Sequence, residues 1–458
     1  MTEQIHYSHH FSRQYIELNK IKRIAILFEE EFLGVYPSLI NTIKILSENK
    51  YYIDIITVSR NSGFPQPPQF GKNVRYFSIK QYSEYDRNYF SSDTIINSNF
   101  ESKSSHWLKS IIPEFIKVKY RFIKYLISIN IDSFGTQLLW LFDKIKYVSA
   151  CFINHLIYKY KILIAIDNTG LIASAFIGPF NRPIVYNWSL EIDTNKTDLL
   201  FYRIFDTLYT FLIRRNKNLI IQDSSRLNVL SKHYSLNAEN KCVFWIPHSP
   251  IGSDRIIESN YFQKKFNFST TDKIILHAGW IHDAMCVDKI AIASKYWKSN
   301  YKLVLHEREK RSPKDPFIQH VNTLSGNRTY LSLNPVNFDL IDQVFSSAHI
   351  GIIAYDKNYG GGRENVFKAS GKLGQYLKCG VPVIALNLPG YNELFSKYKC
   401  GLVFNHFEEI ENCIDQVLLN YSSFREECFK CFNEEFDFRK FFKPLLSSIN
   451  SNTFYLRS

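Results

Sequence analysis

The sequence lacks the long apolar run that a membrane-spanning helix needs. Among its 458 residues, no apolar stretch reaches the roughly 18–20 residues that cross a bilayer. The opening residues 1–14 are polar and rich in histidine, so they also lack the apolar centre of a secretory signal peptide. We therefore expect a cytoplasmic protein.

The sequence is also poor in motifs that hold metals, disulfides or dinucleotides. Its eight cysteines are scattered, and the C-x-x-C at Cys428 and Cys431 has no second pair nearby. This pattern favours free thiols, and no metal site is predicted. No G-x-G-x-x-G follows the first apolar strand, which disfavours a nicotinamide or flavin oxidoreductase. No RNA- or DNA-binding motif is present, so nucleic acid is not an expected partner.

What is present is the composition of a globular protein, with 45% hydrophobic and 22% charged residues. The length suits two domains of about 200 residues each. The formal net charge is +13. A basic surface favours anionic partners such as nucleotide phosphates or acidic lipids.

Short apolar runs alternate with helical spacing in two successive blocks. The first begins with KRIAIL at residues 22–27 and ends before the proline-rich stretch at residues 247–250. The second begins with KIILH at residues 273–277. This alternation predicts an α/β fold of two doubly wound parallel sheets, which face each other and bind ligands at the carboxyl ends of their strands. The predicted domains are residues 1–250 and 251–458.

Two stretches depart from this alternation. Residues from about 81 to 159 predict an insertion of helices into the first domain, rich in aromatic and basic side chains. A final helix is predicted over residues 424–447, and it could cross back to the first domain.

The segment 355–385, YDKNYGGGRENVFKASGKLGQYLKCGVPVIA, predicts an anion site. Its three consecutive glycines allow a backbone to come close to a ligand. Ser370 is placed as the N-cap of a helix over residues 372–378, whose free amides and positive dipole end would face a phosphate. Lys372, in the first turn, adds a cation. The sequence therefore predicts phosphate binding at the edge of the second sheet.

The same segment resembles a known motif. ASGKLGQYL at residues 369–377, followed by CGVPVIA at 379–385, is similar to the donor-binding motif of family 4-like GT-B glycosyltransferases. That motif is approximately Ser-Pro-x-Lys-x-x-Glu-Tyr-Leu-x-x-Gly-x-Pro-Val. The resemblance runs over about residues 23–58 and 161–434, and it does not cover 81–159.

The resemblance implies a GT-B fold, in which two Rossmann-like domains face each other across a cleft. It implies transfer of a sugar from a nucleotide-sugar donor to a saccharide or lipid-linked acceptor, in polysaccharide or glycoconjugate synthesis. It further implies a retaining, metal-independent hexosyltransferase. No cofactor is expected, because the nucleotide-sugar is a substrate.

The sequence departs from the family pattern at three places. The acidic residue that contacts the nucleotide ribose falls at Gln375. The first carboxylate of the family's spaced pair falls at Phe367, with Glu364 three residues earlier. The Arg and Lys expected after Gly279 are missing. The predicted donor-binding residues are Gly279, His282, Arg363, Asn365, Ser370, Gly371, Lys372, Leu373 and Gln375, and the predicted catalytic residues are Asp167, Lys372 and Glu364.

Other candidates lie at strand ends on the acceptor side. Asp167 and Asn168 follow the strand KILIAI, where Asp167 could instead cap the following helix. Glu191 could contact the acceptor or be an ordinary surface acid. Gly34 would leave room beside the protein backbone on the acceptor side. Residues 306–309 follow a strand where the family places contacts to the base or to the neighbouring loop.

The stretch SIIPEFIKVKYRFIKYLI, at residues 110–127, predicts a basic amphipathic helix. Such a helix could lie on an anionic membrane surface, which would make the protein peripheral on the inner face of the plasma membrane. It could equally pack on the domain core with a solvated basic face.

Two other functions fit the same pattern. The first is a non-catalytic GT-B homologue that binds a glycan or a partner transferase. The second is a different enzyme on a double-Rossmann frame, such as a sugar-nucleotide epimerase or a phosphorylase.

Overall fold

The first block of apolar runs forms a seven-stranded sheet in which all neighbouring strands are parallel. The structure, a computed structural model, describes residues 22–31, 33–59, 64–65, 67–81, 131–179, 182–192, 199–252, 259–359 and 365–455. The strands are β1 (Arg23–Leu27), β2 (Tyr52–Ser59), β3 (Val74–Lys80), β4 (Ile162–Ile166), β5 (Ile184–Trp188), β6 (Asn218–Ile221) and β7 (Cys242–Trp245). Their order is β3-β2-β1-β4-β5-β6-β7, so the winding reverses between β1 and β4.

The second block forms a six-stranded parallel sheet with the same winding. Its strands are β8 (Lys273–Gly279), β9 (Tyr301–Glu307), β10 (Thr329–Ser332), β11 (Ile350–Ile353), β12 (Val383–Leu386) and β13 (Gly401–Phe404). Their order is β10-β9-β8-β11-β12-β13, and the winding reverses between β8 and β11. The predicted fold class of two doubly wound parallel sheets is confirmed.

Helices cover both sheets. In the described residues they are α1 (Pro37–Glu48), α2 (Ile131–Tyr158), α3 (Asp167–Ile177), α4 (Leu200–Arg215), α5 (Ser224–Tyr234), α6 (Tyr261–Phe266), α7 (Val287–Ser294), α8 (Pro316–Leu324), α9 (Ile341–Ser346), α10 (Gly371–Lys378), α11 (Tyr391–Tyr398), α12 (Ile410–Leu419), α13 (Tyr421–Glu435) and α14 (Phe438–Tyr455). Short 3₁₀ turns span Leu33–Val35, Ala238–Asn240, Asp283–Met285, Phe338–Leu340, Lys357–Tyr359 and Phe407–Glu409.

The first sheet has an apolar core on each face. On one face α1 and α14 pack against inward residues such as Ile26 and Ile164. On the other face α2, α3 and α4 cover residues such as Leu27 and Leu163. Strand β4 reads ILIAI and is buried at every position, as expected for a parallel strand covered on both faces.

The end of the chain differs from the prediction of one helix over 424–447. The structure has two helices there, with a break at residues 436–437. Helix α14 buries Phe438, Phe442 and Leu445 in the core of the first sheet. The chain thus passes between the two sheets near residues 246–252 and again at the break.

Part of the predicted helical insertion lies outside the described residues, which omit 82–130. The basic stretch 110–127 falls in that gap. The rest of the insertion is α2. No helix in the described part of the chain is long and apolar enough to cross a bilayer.

Candidate functional site

The carboxyl edges of the two sheets enclose a cavity of about 1500 Å³. Its walls include Phe28 and Ile166 at the ends of β1 and β4, and Gly279 and Tyr355 at the ends of β8 and β11. Both places where the winding reverses therefore open into one cavity. In open α/β sheets this is where ligands bind.

One wall of the cavity is built by the start of helix α10. Ser370 occupies the predicted N-cap position, but its hydroxyl makes no cap bond and instead lies 2.9 Å from the Tyr355 hydroxyl. The next residue, Gly371, has no room for a side chain, since a Cβ there would lie 2.7 Å from the His248 ring. The segment between the domains therefore packs directly on the first turn of α10.

Lys372 is the central cation of this wall. Its ammonium is buried and has no hydrogen-bond partner among the described residues. The pKa of Lys372 is lowered to about 7, chiefly by burial and in part by the charge of Arg308, while the charge of Glu307 opposes both. The Lys372 Nζ lies 5.0 Å from the Tyr355 ring centroid, but a buried ammonium without a hydrogen-bond acceptor is costly unless a ligand supplies an anion.

Gly279 gives this lysine its position. The glycine ends β8 with a φ of +118°, a conformation that side chains disfavour. The Lys372 Nζ lies 3.6 Å from the place where a Cβ on Gly279 would stand. The ammonium is thus held against the end of the strand next to the winding reversal.

Arg308 is a second cation, which the sequence analysis did not single out for the diphosphate. It follows β9, and its guanidinium carbon lies 5.5 Å from the Trp280 ring centroid and 5.9 Å from that of Phe64 in the other domain. Because its charge lowers the pKa of both Lys372 and Tyr36, it lies between the two halves of the cavity.

Glu307, next to Arg308, is buried. It accepts hydrogen bonds from the amides of Ile281 and Arg308, at 3.0 Å and 2.8 Å. These bonds fix the turn from which Arg308 projects. The signal available in the sequence was the run His306–Glu309 after a strand, which could not show that it faces Lys372.

His282 and Gln375 line the cavity, but each has a polar group engaged by the protein. The His282 ring stacks on Trp280 at 3.9 Å, and its Nδ1 accepts the Ala284 amide at 3.2 Å. The Gln375 side-chain nitrogen donates to Asp342, so its oxygen end is the part suited to accept from a ribose hydroxyl.

The other predicted donor residues are placed differently. Leu373 is fully buried in the core of the second sheet and is not a lining residue, and neither is Asn365. Arg363 and Glu364 lie outside the described residues.

Asp167 forms the centre of the opposite wall. It follows β4 with a φ of +51°, and its carboxylate accepts the amides of Leu190 and Glu191 at 2.7 Å and 3.1 Å. It therefore does not cap its own helix, but ties the end of β4 to the loop after β5. Burial raises the pKa of Asp167 to about 7, and the charge of Glu191 adds to this shift.

The remaining predicted acceptor residues gather around Asp167. Glu191 is exposed and lies 3.4 Å from the Tyr36 hydroxyl, which donates to it. Asn168 and Gly34 also line the cavity. The structure thus brings all four acceptor candidates to one wall.

Arg226 on helix α5 is a further lining residue that sequence reasoning missed. It is buried, one guanidinium nitrogen donates to the Leu190 carbonyl at 2.8 Å, and Nε has no partner among the described residues. Its charge interacts with Glu191 and Asp167. Nothing in its local sequence distinguishes it, because only the packing of α5 beside the β5 loop brings it to the cavity.

Aromatic side chains form the outer end of the acceptor half. Trp140 from α2 stacks on Tyr202 from α4, with ring centroids 4.2 Å apart and an interplanar angle of 22°. Lys144, one turn after Trp140, pairs with Glu29.

Within the described ranges, no three His, Cys, Asp or Glu side chains converge where a metal could bind.

The site therefore joins a cationic wall to a carboxylate wall. The cationic wall can hold an anionic leaving group, while the carboxylate wall can accept a hydrogen bond from a hydroxyl. Such a cleft can bring two substrates together and exclude water when the domains close.

No protein-family model matches the sequence, and no curated protein matches it significantly. Solved structures do match along almost the whole chain. Sucrose-phosphate synthase from Thermosynechococcus elongatus is 12% identical with a TM-score of 0.60, covering 95% of this chain and 100% of that one. A glycosyltransferase from Rickettsia africae is also 12% identical with a TM-score of 0.60, over 95% and 99% of the two chains.

HepE from Anabaena, solved in complex with UDP and glucose, is 12% identical with a TM-score of 0.58. The match covers 94% of this chain and 100% of HepE. These neighbours are GT-B glycosyltransferases, and this chain has the same fold.

Proposed function

We propose that this protein is a glycosyltransferase that moves a sugar from a nucleotide-sugar donor to a saccharide or lipid-linked acceptor. The observation that carries the proposal is the buried ammonium of Lys372 at the head of α10, which has no hydrogen-bond partner among the described residues and faces a cavity whose other wall holds Asp167. The crystallisation of HepE with UDP and glucose supports a nucleotide-sugar as the donor.

The donor's diphosphate lies against Lys372, Arg308 and the first amides of α10. As the bond between the anomeric carbon and the diphosphate oxygen breaks, negative charge grows on that oxygen. The two cations and the helix amides stabilise this charge more than they stabilise the intact donor, which lowers the barrier. The ribose is placed near Gln375, and His282 and Gly279 border the phosphates.

The acceptor hydroxyl lies against Asp167, with Asn168, Glu191 and Gly34 shaping the pocket around it. Its oxygen forms the new bond to the anomeric carbon. In the retaining reaction that we propose, its proton passes to the departing phosphate oxygen, and Asp167 holds the hydroxyl in line. We further propose that the reaction needs no metal, that the protein is a family 4-like glycosyltransferase, and that it works in the cytoplasm in polysaccharide or glycoconjugate synthesis.

The proposal is tested by calorimetry with UDP, GDP and dTDP, followed by turnover of the corresponding sugars with a panel of saccharide and lipid-linked acceptors. We expect one nucleoside diphosphate to bind and its sugar to be transferred. Failure of every donor to bind would refute the proposal. Binding without turnover of any acceptor would identify a non-catalytic homologue instead.

A further inference from the structure

Helix α2 exposes an apolar face along most of its length. Between residues 137 and 158, Ser149 is the one polar residue among those that are exposed. Phe142 and Ile157 are each 59% exposed, and Ile145 and Ile153 are each 54% exposed. Together with Ser149, these positions recur at intervals of three and four residues, so they lie on one side of the helix.

The opposite side of α2 is mixed, and it buries the polar side chains of Gln137, Asp143, Lys144 and His155 together with apolar ones. Tyr147 and Cys151 are fully buried in the core of the first sheet. A helix on the surface of a soluble domain usually buries one apolar side and presents a polar one. Because α2 instead exposes an apolar side, that side is suited to a second apolar environment outside the domain core.

Neighbouring helices extend this exposed surface. Helix α3 packs against both α2 and α4, and its Phe176 is 55% exposed. On α4, Leu200, Ile204 and Phe211 share one exposed side. We call the outer sides of α2, α3 and α4 the three-helix apolar face. Contiguous apolar surfaces of this kind mark sites of interaction with proteins or membranes.

The charges around this face have one sign along α4. Arg214 and Arg215 are exposed and flank its apolar stripe, while Arg203 and Asp206, which are also exposed, line the cavity. The Arg215 guanidinium carbon lies 3.9 Å from the Phe211 ring centroid, so an arginine and an apolar side chain meet at the same surface. Apolar side chains beside arginines complement an anionic bilayer, which offers acyl chains and phosphates at adjacent depths.

The same helices also form the wall of the acceptor half of the cavity. Trp140 and Lys144 of α2 and Tyr202 of α4 line the cavity. The acceptor half and the three-helix apolar face therefore lie on different sides of two shared helices. A molecule held at one would have a short path to the other.

We propose that the three-helix apolar face docks on an anionic lipid bilayer and sets the acceptor half of the cleft at the membrane surface, where a lipid-linked acceptor enters. The identity of the acceptor rests on the proposed function, whereas docking on the bilayer does not.

Co-sedimentation of the full-length protein with vesicles tests the docking. Wild type is compared on phosphatidylglycerol/phosphatidylcholine vesicles and on phosphatidylcholine alone. We expect anionic vesicles to bind more protein, and Phe142→Asp with Ile153→Asp to weaken that binding by about tenfold or more. The matched control is Leu419→Asp, which alters a leucine that is 83% exposed at the end of α12 and should bind as wild type.

A fluorophore on the face gives a second measurement that does not depend on the double variant. Ser149→Cys is labelled with an environment-sensitive dye in a Cys242→Ser background, because Cys242 is the exposed cysteine of the described chain. Anionic vesicles should shift its emission to the blue. A dye that is already shielded before vesicles are added, by another part of the chain or by a second copy at high protein concentration, would overturn the proposal.

UDP binding in the absence of vesicles separates the two proposals. Normal UDP affinity with no response to vesicles would refute docking alone. Vesicle binding without affinity for any nucleotide would leave docking standing and refute the donor site.

Discussion

The two walls of the cavity hold their charges in opposite ways. On the donor wall, the ammonium of Lys372 is buried without a hydrogen-bond partner within the described residues, and it lies 5.0 Å from the Tyr355 ring centroid. On the acceptor wall, Asp167 accepts two backbone amides, and Arg226 and Glu191 lie close to it. The protein itself therefore supplies hydrogen bonds to the carboxylate on the acceptor wall, whereas the ammonium on the donor wall would gain an acceptor when an anionic ligand binds. Substitutions on the donor wall should consequently weaken nucleotide binding, whereas substitutions on the acceptor wall should lower turnover.

The largest effect is expected from Lys372→Ala. Removing a cation aimed at the leaving diphosphate should lower kcat/KM by about 10³-fold and weaken UDP binding. Calorimetry with UDP and steady-state kinetics measure both. Lys372→Arg is the control, because it keeps a charge that does not titrate. Wild-type UDP affinity in the alanine variant would mean that the diphosphate binds elsewhere.

Asp167→Asn should give the contrasting result. The amide preserves shape but removes the negative acceptor, so kcat should fall by about 10²-fold while UDP affinity stays the same. Donor titration and acceptor kinetics on the same preparation test this. A matched change in UDP affinity would show that the two walls are not separate.

The pH dependence of UDP binding tests whether the charge of Lys372 holds the ligand on the donor wall. Since the pKa of Lys372 is about 7 in the free protein, raising the pH above 7 removes the charge that UDP needs. UDP affinity should then fall roughly tenfold between pH 6.5 and pH 8. Lys372→Arg should remove most of this dependence. An equal slope in both proteins would assign the titration to another group.

Arg308→Gln should produce a smaller loss. The residue is exposed and shares its role with Lys372, so UDP binding should weaken about five- to tenfold. Because the Arg308 charge depresses the pKa of Lys372, the pH at which affinity falls should also move upward. Lys310→Gln, which alters another exposed cation lining the cavity, serves as the comparison.

A separate prediction concerns stability without ligand. The folded pKa of Lys372 lies below its unfolded value, so the unfolded chain binds more protons and the penalty is largest below pH 7. Lys372→Met should raise the unfolding free energy by on the order of a few kcal/mol at pH 6, and the gain should shrink towards pH 10. Urea melts across this range measure it. A methionine variant less stable than wild type would show that the ammonium is already satisfied.

Much of the frame could be predicted from the sequence because parallel strands covered on both faces leave continuous apolar runs such as ILIAI. The head of α10 was also predictable, since glycines, an N-cap and a lysine are close in sequence. Arg308 was predicted only within residues 306–309, as a contact to the base or to the neighbouring loop, and Arg226 was not predicted at all, because each reaches the cavity only through the packing of its strand or helix. Leu373 stays a predicted donor residue, but its side chain lies in the core of the second sheet, because a motif does not show which side of a helix faces the core.

The break between α13 and α14 has a mechanical consequence. At this crossing the Phe438 amide donates to the Pro250 carbonyl at 3.2 Å, and the Gly252 amide donates to the Asp437 carboxylate at 3.0 Å. The two chain segments that connect the domains therefore lie side by side and are joined by hydrogen bonds. We expect relative motion of the domains to be a rotation about the line that joins these two segments, with rotation about other axes restricted. The first domain also cannot be produced by cutting the chain after residue 250, because its outer layer is supplied by the last eighteen residues of the described chain.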